Sequence, residues 1–216
     1  MPQTNDDVAP QPRRGRPRDP ERLRRIVEAA HSHFNAHGLE RASVDAIAAD
    51  AGVSKMTIYS HFVSKEGLFE AVIRDRTDRV MGGVAGVEAL DPTQPQKALL
   101  AVGEQFLTLA REESTLGQFR LIYGAAAVQR EACRVFYAQG ADRLIGDLAV
   151  YLRRADAQGT LNVRHPRRAA DLFLSMFLGD GHIRGLMMLE MPDVREDRAL
   201  LREAVRVFMA AYARAP

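Results

Sequence analysis

Cysteine, lysine and tryptophan are nearly or wholly absent from this sequence of 216 residues, which has one cysteine, three lysines and no tryptophan. Because Cys133 has no second cysteine to pair with, no disulfide can form within the chain. A packed thiol is the simpler interpretation of Cys133, and a redox role is the alternative. Long apolar runs are missing too, since neither an apolar signal core nor roughly 18 consecutive apolar residues occur. We therefore expect a soluble, cytoplasmic protein without a membrane partner.

An excess of positive charge is also missing, because the formal net charge is only +2. Residues 1–75 contain eleven Lys or Arg and eleven Asp or Glu. The overall basic character that is typical of a DNA-binding domain is thus not present. Any nucleic-acid binding must depend on where the charges lie. Two of the three lysines, Lys55 and Lys65, fall within one short segment that is described below.

Patterns typical of enzymes are absent as well. The sequence has no phosphate-binding glycine loop, no nucleophile elbow and no HExxH metal motif. His31 and His33 are two residues apart on a predicted helix and point in different directions, so they do not predict a metal site. An enzyme that uses His182 with Asp180 or Tyr123 is the weakest alternative. We expect no catalytic residues, no metal and no cofactor.

Helical periodicity dominates what is present, and no alternating pattern predicts a strand. The fold class is therefore all-α. Asp19 and Pro20 are typical of a helix start, and Gly38 is typical of a helix end. Another helix is predicted from Ser64 toward Val80. Further helices are predicted at 95–113, 116–128, 131–157, 166–189 and 195–214.

Residues 43–65 predict two short helices that are joined by a tight turn. Ser43 and Ser54 can cap the two helices, and Gly52 supplies the positive φ of the turn. The outer face of the second helix carries hydroxyls, a cation and a phenol, namely Lys55, Thr57, Tyr59 and His61. Such a face suits phosphates and base edges in a major groove. A plain helical hairpin with a polar surface is the alternative.

Three segments, Ile47–Ser54, Thr57–Phe62 and Ser64–Glu66, closely resemble the DNA-binding signature of the TetR (tetracycline-repressor-like) family. The resemblance implies a homodimeric, all-helical repressor, with an N-terminal helix–turn–helix domain and a C-terminal ligand-binding and dimerisation domain. It also implies that seven residues contact operator DNA: Ser43, Ser54, Lys55, Thr57, Tyr59, His61 and Lys65. Met56 stands where many members have glycine, and it either contacts a thymine methyl group or shields the backbone. The C-terminal part resembles the AefR-like branch.

A basic segment precedes the first helix. Residues 1–12 are rich in Pro, Gln, Asn and Asp, which is typical of disorder. Arg14, Arg16 and Arg18 follow, and Pro17 keeps this segment extended. An extended arginine arm fits an A·T-rich minor groove, whereas a solvated tail is the alternative. The expected organisation is a disordered basic arm at 1–18, a DNA-binding domain at 19–66 and a helical ligand-binding and dimerisation domain at 67–216.

The C-terminal helices are rich in aromatic residues and methionine, which are typical of an adaptable apolar pocket. Ordinary core packing is the alternative interpretation of these residues. The candidate effector-binding residues are Phe106, Phe119, Arg120, Tyr123, Phe136, Tyr137, Met176, Phe177, His182 and Met187.

The last two predicted helices carry apolar residues on more than one face. In the final helix, Leu200 and Val207 lie on one stripe, whereas Leu201 and Phe208 lie on another. Helices of this kind need two partners. One partner is the core of the subunit, and the other is a second copy of the chain.

These observations predict a ligand-responsive repressor. We expect it to form a homodimer through the last two helices and to bind double-stranded operator DNA with palindromic half-sites. A small, largely apolar effector is expected to release it from the DNA. The alternative is a nonspecific or architectural DNA-binding protein without an effector.

Overall fold

The computed structural model describes residues 20–80, 86–127 and 130–214. The predicted DNA contacts Arg14, Arg16 and Arg18 lie outside these ranges. The described part is helical, with one isolated bridge between Leu161 and Ala213 in place of a sheet, and the all-α prediction is confirmed. None of its helices is long and apolar enough to cross a membrane. The helices are α1 (Pro20–Arg41), α2 (Val44–Asp50), α3 (Lys55–His61), α4 (Lys65–Val80), α5 (Pro95–Arg111), α6 (Glu113–Ala125), α7 (Arg130–Tyr137), α8 (Arg143–Ala157), α9 (Pro166–Ser175), α10 (Asp180–Leu186) and α11 (Val194–Tyr212).

The N-terminal core forms beneath the short helices α2 and α3. Ile26 and Phe34 of α1 are fully buried, and the Phe34 ring packs edge-on against Phe69 of α4 at 5.2 Å between centroids. Gly38 has φ 71° and interrupts the helical geometry of α1, after which Leu39 folds back into the core. Such a residue before an apolar contact is typical of a helix end.

Helix α4 belongs to this same core. Leu68, Phe69, Val72 and Ile73 are all buried in it, although the predicted domain boundary at residue 66 assigns α4 to the C-terminal domain. Ala132 of α7 joins the cluster as well. The N-terminal core therefore extends past residue 66, and α4 connects the two parts of the chain.

A second, larger core holds the C-terminal helices together. Phe173 of α9 lies at its centre, with edge-on ring contacts to Phe177 and Phe208 at 5.3 Å each. Tyr151 of α8 is fully buried, and its hydroxyl donates to the Asp91 carbonyl at 3.1 Å. Burial raises the pKa of Tyr151 to about 12, so the hydroxyl stays a donor. This core fixes α5, α8, α9 and α11 against one another.

Three of the predicted helices differ from the structure. The helix predicted at 166–189 is wrong, because α9 ends at Ser175 and α10 begins at Asp180. Gly179 between them has ψ −144°, which is not helical. The helix predicted at 131–157 contains a π-helical segment at Ala138–Asp142, and the one predicted at 116–128 spans Glu113–Ala125.

Candidate nucleic-acid interface and ligand cavity

The start of α2 and the turn between α2 and α3 are held by short-range hydrogen bonds. The Ser43 hydroxyl accepts from the Ala46 amide at 3.4 Å, and the Ser54 hydroxyl accepts from the Thr57 amide at 3.1 Å. Gly52 has φ 66°, a conformation that residues with a side chain rarely adopt. The Val53 amide then donates to the Ala48 carbonyl at 3.0 Å. Local sequence thus sets the angle between the two helices.

Helix α3 buries one side and exposes the other. Ile58 is 1% exposed, whereas Met56 is 76% exposed and Tyr59 39% exposed. The Thr57 hydroxyl lies 2.9 Å from the Ser54 hydroxyl and is half-buried. His61 is half-buried at the end of the helix. The exposed surface of α3 is therefore formed mainly by Lys55, Met56 and Tyr59, and we call it the reading face.

Lys55 is tied to α2 by an ion pair. Its ammonium lies 2.9 Å from the Asp45 carboxylate, and both side chains are largely exposed. The hydrogen bond and the charge of Asp45 raise the pKa of Lys55. Because exposed pairs are weak, a phosphate can compete for this lysine.

Lys65 has a different environment. Its ammonium donates to the carbonyls of Glu40 at 2.8 Å and Ala42 at 3.4 Å. A cation is favourable there because the carbonyls at a helix C-terminus are partly negative. Lys65 therefore joins the start of α4 to the end of α1, and the predicted phosphate contact stays a prediction.

An apolar cavity of about 180 Å³ lies among α4, α5, α6, α7 and α8. We call it the interhelical cavity. Four of the ten candidate effector residues line it, namely Phe106, Phe119, Tyr123 and Phe136. The Phe119 ring contacts Phe136 edge-on at 5.1 Å and Tyr123 at 5.5 Å, measured between centroids. Phe119 therefore connects two of the other three aromatic rings of this wall.

Sequence comparison covers both parts of the chain. Residues 26–72 match the family of bacterial regulatory proteins of the tetR type, and residues 97–214 match the C-terminal domain of AefR-like transcriptional repressors. The second match alone covers more than half of the chain. The chain belongs to the TetR family. Members of this family regulate transcription by binding DNA, and they are not enzymes.

Two curated relatives show how far the similarity extends. The A-factor receptor protein of Streptomyces griseus is 35% identical over 91 residues, which are 42% of this chain and 30% of that protein. The transcriptional activator FasR of Mycolicibacterium smegmatis is 38% identical over 108 residues, which are 50% of this chain and 47% of that protein. The chain thus spans less than half the length of either relative.

Solved structures match over nearly the whole chain. A TetR-family regulator from Mesorhizobium loti has a TM-score of 0.72 at 24% identity, covering 92% of this chain and all of the other. The flavonoid-responsive regulator FrrA has a TM-score of 0.66 at 26% identity, with the same coverage. The first match establishes the fold alone, and it agrees with the family assignment.

The other six candidate effector residues of this TetR-family chain lie outside the interhelical cavity. Phe177 is fully buried in the C-terminal core and Met176 packs against that core, whereas Tyr137 and Met187 are exposed. Arg120 pairs with Glu113 and donates to the Gly185 carbonyl at 2.9 Å. None of these side chains lines the interhelical cavity, so the ten candidate residues do not form one shared pocket.

His182 lies behind the cavity wall. Its ring packs edge-on against Phe119 at 5.1 Å, and it is 5% exposed. Burial lowers the pKa of His182, and the nearby Arg111 lowers it further. Asp180, its suggested catalytic partner, instead pairs with Arg184 at 2.7 Å. The geometry gives no support to an Asp180–His182 pair.

Sequence reasoning missed four polar residues of the wall: Arg76, Thr77, Thr115 and Gln118. Thr77, Thr115 and Gln118 are all buried. A signal was available, because Thr115 and Gln118 share one helical face with Phe119 at the spacing i, i+3, i+4. Uncharged polar residues on an aromatic helix face indicate a lined cavity better than the aromatic residues do alone.

Proposed function

We propose that this chain is a ligand-responsive repressor that binds a palindromic operator as a homodimer and leaves it when a small, largely apolar effector binds. One observation carries the proposal. Helix α4 contributes Leu68 and Phe69 to the core beneath the reading face, and its Ile73 and Thr77 line the interhelical cavity. A single helix therefore belongs to both sites.

In the proposed complex, α3 enters the major groove. Lys55, Met56 and Tyr59 are exposed there, while Ile58 anchors the helix from below. Lysine and hydroxyl groups suit phosphates, and Met56 suits a thymine methyl group. We propose that further contacts to the DNA come from Ser43, Ser54, Thr57, His61 and Lys65. We propose that the arm with Arg14, Arg16 and Arg18 enters the adjacent minor groove.

Exposed apolar residues near the C-terminus support the homodimer. Among the described residues, seven large apolar side chains between positions 172 and 207 are exposed, and α11 buries Leu201, Val205 and Phe208 on its other side. Exposed large apolar side chains that are concentrated in one part of a chain are typical of an interaction site. Their members are Leu172, Ile183, Met187, Met188, Leu189, Val194 and Val207. We call this set the C-terminal apolar surface and propose that a second copy covers it.

Met188 gives separate support. Its φ is 58°, and the Leu189 amide bonds to the Arg184 carbonyl at 2.9 Å just after α10. Glycine usually occupies such a helix end, and another residue there costs on the order of 1–2 kcal/mol. Because the Met188 side chain is 77% exposed, its burial within the subunit does not offset this cost. Contact with a partner subunit would offset it.

Arg76 of α4 links the cavity to the DNA-binding part. Its guanidinium lies 2.9 Å from the His31 ring on α1, 3.1 Å from the Ser114 hydroxyl and 3.1 Å from the Glu112 carboxylate. An effector that displaces α4 therefore also displaces α1. Two reading helices must lie about 34–36 Å apart to fit successive major grooves, so a small displacement is enough for release.

Repression is favoured over activation by the AefR-like repressor domain that residues 97–214 match, although the relative FasR is named as an activator. The structural neighbour FrrA is named as flavonoid-responsive, and this agrees with an effector that has an aromatic ring. A nonspecific architectural DNA-binding protein is the second candidate, favoured by the arginine-rich segment alone.

The test is a binding selection from random duplex DNA, with the full chain at fixed salt. We expect one inverted repeat to be enriched and bound about 10³-fold or more tightly than random DNA. Similar affinity for all sequences would favour the architectural alternative.

A further inference from the structure

The charge inside the interhelical cavity is balanced without a ligand. Among its described lining residues, Arg76 is the one charged side chain, and Glu112 neutralises it at 3.1 Å. The His31 and Ser114 side chains accept its remaining hydrogen bonds at 2.9 and 3.1 Å. An anionic ligand would compete with Glu112, and a cationic one would meet no carboxylate in the wall. Because burying an unpaired charge is costly, the cavity favours a neutral ligand.

Gln118 provides a hydrogen-bond donor without an acceptor at this wall. It is 5% exposed, and its amide nitrogen has no hydrogen-bond partner among the described residues. A buried donor without an acceptor is destabilising, so a ligand acceptor that reaches it is bound favourably. The terminal amide of glutamine rotates over a broad range, which allows the N–H to face the cavity.

The size and shape of the cavity limit the ligand further. Its volume of about 180 Å³ is below the range of about 300–1,000 Å³ that is usual for drug-sized ligands. Phe106, Phe119 and Phe136 surround the space with aromatic rings. A single substituted ring fits such walls through edge and face contacts.

From these observations we propose the chemical class of the effector: a neutral compound of about one aromatic ring that carries one hydrogen-bond acceptor, which Gln118 recognises. This rests on the proposed function, because it takes the interhelical cavity as the effector site. The charge of Arg76 is already neutralised by Glu112, so Arg76 does not bind a carboxylate of the ligand.

Three probes of similar size separate the parts of this proposal: acetophenone is neutral with an acceptor, ethylbenzene is neutral without one, and benzoate is an anion. The thermal unfolding of the full chain is measured with each at about 1 mM and without DNA. With a Kd of about 0.1 mM, acetophenone should raise Tm by about 3–5 °C. Ethylbenzene should raise it less, and benzoate should leave it unchanged. An equal or larger rise with ethylbenzene or benzoate, or no rise with any probe, overturns the proposal.

Variants at two glutamines assign the acceptor contact. Gln118→Leu should lose the preference for acetophenone over ethylbenzene, and its Tm without ligand should equal or exceed that of the parent chain, since an unpaired buried amide is removed. Gln105 is exposed on α5 and does not line the cavity, so Gln105→Leu should keep the preference. Gln118→Met serves as a second variant if Gln118→Leu folds poorly. A preference that persists in the Gln118 variants contradicts the assignment.

Failure here is distinguishable from failure of the proposed function. The thermal measurements contain no DNA, so a wrong ligand class leaves sequence-specific DNA binding intact. Conversely, a chain that bound all DNA sequences equally would still show the acetophenone preference if Gln118 recognises the acceptor.

Discussion

The N-terminal and C-terminal parts of this chain differ in the position of their unpaired buried atoms and of their exposed apolar side chains. Of five buried side-chain atoms without a hydrogen-bond partner among the described residues, one belongs to Asn35, and the others belong to Arg111, Gln118, Arg143 and His182. The interhelical cavity and the C-terminal apolar surface also lie mainly in the C-terminal part. Of the four residues just named in the C-terminal part, Gln118 is the one that lines the interhelical cavity. The proposed effector site and the proposed dimer surface therefore both fall in this part.

The largest expected effect tests whether the N-terminal core is more closely packed than the wall of the interhelical cavity. Phe34→Ala removes a fully buried ring that packs on Phe69, and it should lower the free energy of unfolding by about 3–5 kcal/mol. Phe119 is half-buried and borders existing space, so Phe119→Ala should cost about 1–2 kcal/mol. Urea unfolding measures both free energies. Equal losses in the two variants would show that the N-terminal core is not the more closely packed site.

The next prediction concerns the C-terminal apolar surface. Val207 is 43% exposed on α11, and Val207→Arg should weaken the proposed dimer by about 2 kcal/mol or more, because it buries a charge without a partner. Analytical ultracentrifugation measures the dissociation constant. Leu23 is 38% exposed on α1, outside this surface, so Leu23→Arg is the matched control. If both variants dimerise like the parent chain, the interface lies elsewhere.

Variants at and beside Lys55 test the reading face, and we expect smaller changes in binding free energy from them. Lys55→Ala should weaken DNA binding similarly across sequences and reduce the salt slope by about two for a dimer, because each subunit loses one phosphate contact. Asp45→Asn frees Lys55 from its 2.9 Å ion pair and should strengthen binding by about 2–5-fold at low salt. Fluorescence anisotropy measures both. Lys97→Ala, at an exposed position of α5, should leave DNA binding unchanged. A base-specific loss in Lys55→Ala would contradict the phosphate role.

The smallest effect is a pH dependence that arises from the C-terminal part. Burial lowers the pKa of His182 in the folded chain, while the unfolded value stays at about 6.5. The folded state then binds fewer protons, so the stability that this site contributes is present above about pH 6.5 and is lost as pH falls through the folded pKa. His182→Gln should therefore show a smaller fall in Tm between pH 7 and pH 5. The control is His165→Gln, at an exposed histidine, and it should behave like the parent chain.

The same contrast explains how much could be predicted from the sequence. The caps Ser43 and Ser54 act on amides three residues away, and Gly52 makes its turn locally, so the helix–turn–helix follows from short-range chemistry. The contact of Lys65 was harder to predict, because its carbonyl partner Glu40 lies 25 positions earlier in the chain. No local pattern reveals that contact.

The C-terminal site was predicted only in part, for a physical reason. Phe106 and Phe177 have the same side chain and touch each other at 6.0 Å between ring centroids. Phe106 lines the cavity, whereas Phe177 is fully buried by its neighbours in the C-terminal core. Which ring borders the empty space depends on how α4 and α6 pack, and periodicity within one helix carries no information about this. The prediction of a helix at 166–189 was wrong for a similar reason, since the apolar run up to Leu178 is typical of a helix that continues.

The most direct test of the account is geometric. The inverted repeat obtained by selection is compared with the same half-sites moved apart by about five base pairs, which is half a turn of the duplex. If two copies of α3 are held at a fixed separation, the inserted half turn places one half-site on the opposite side of the DNA, and affinity should fall by about 100-fold or more. Unchanged affinity for the spaced site would contradict a dimer that reads both half-sites at once.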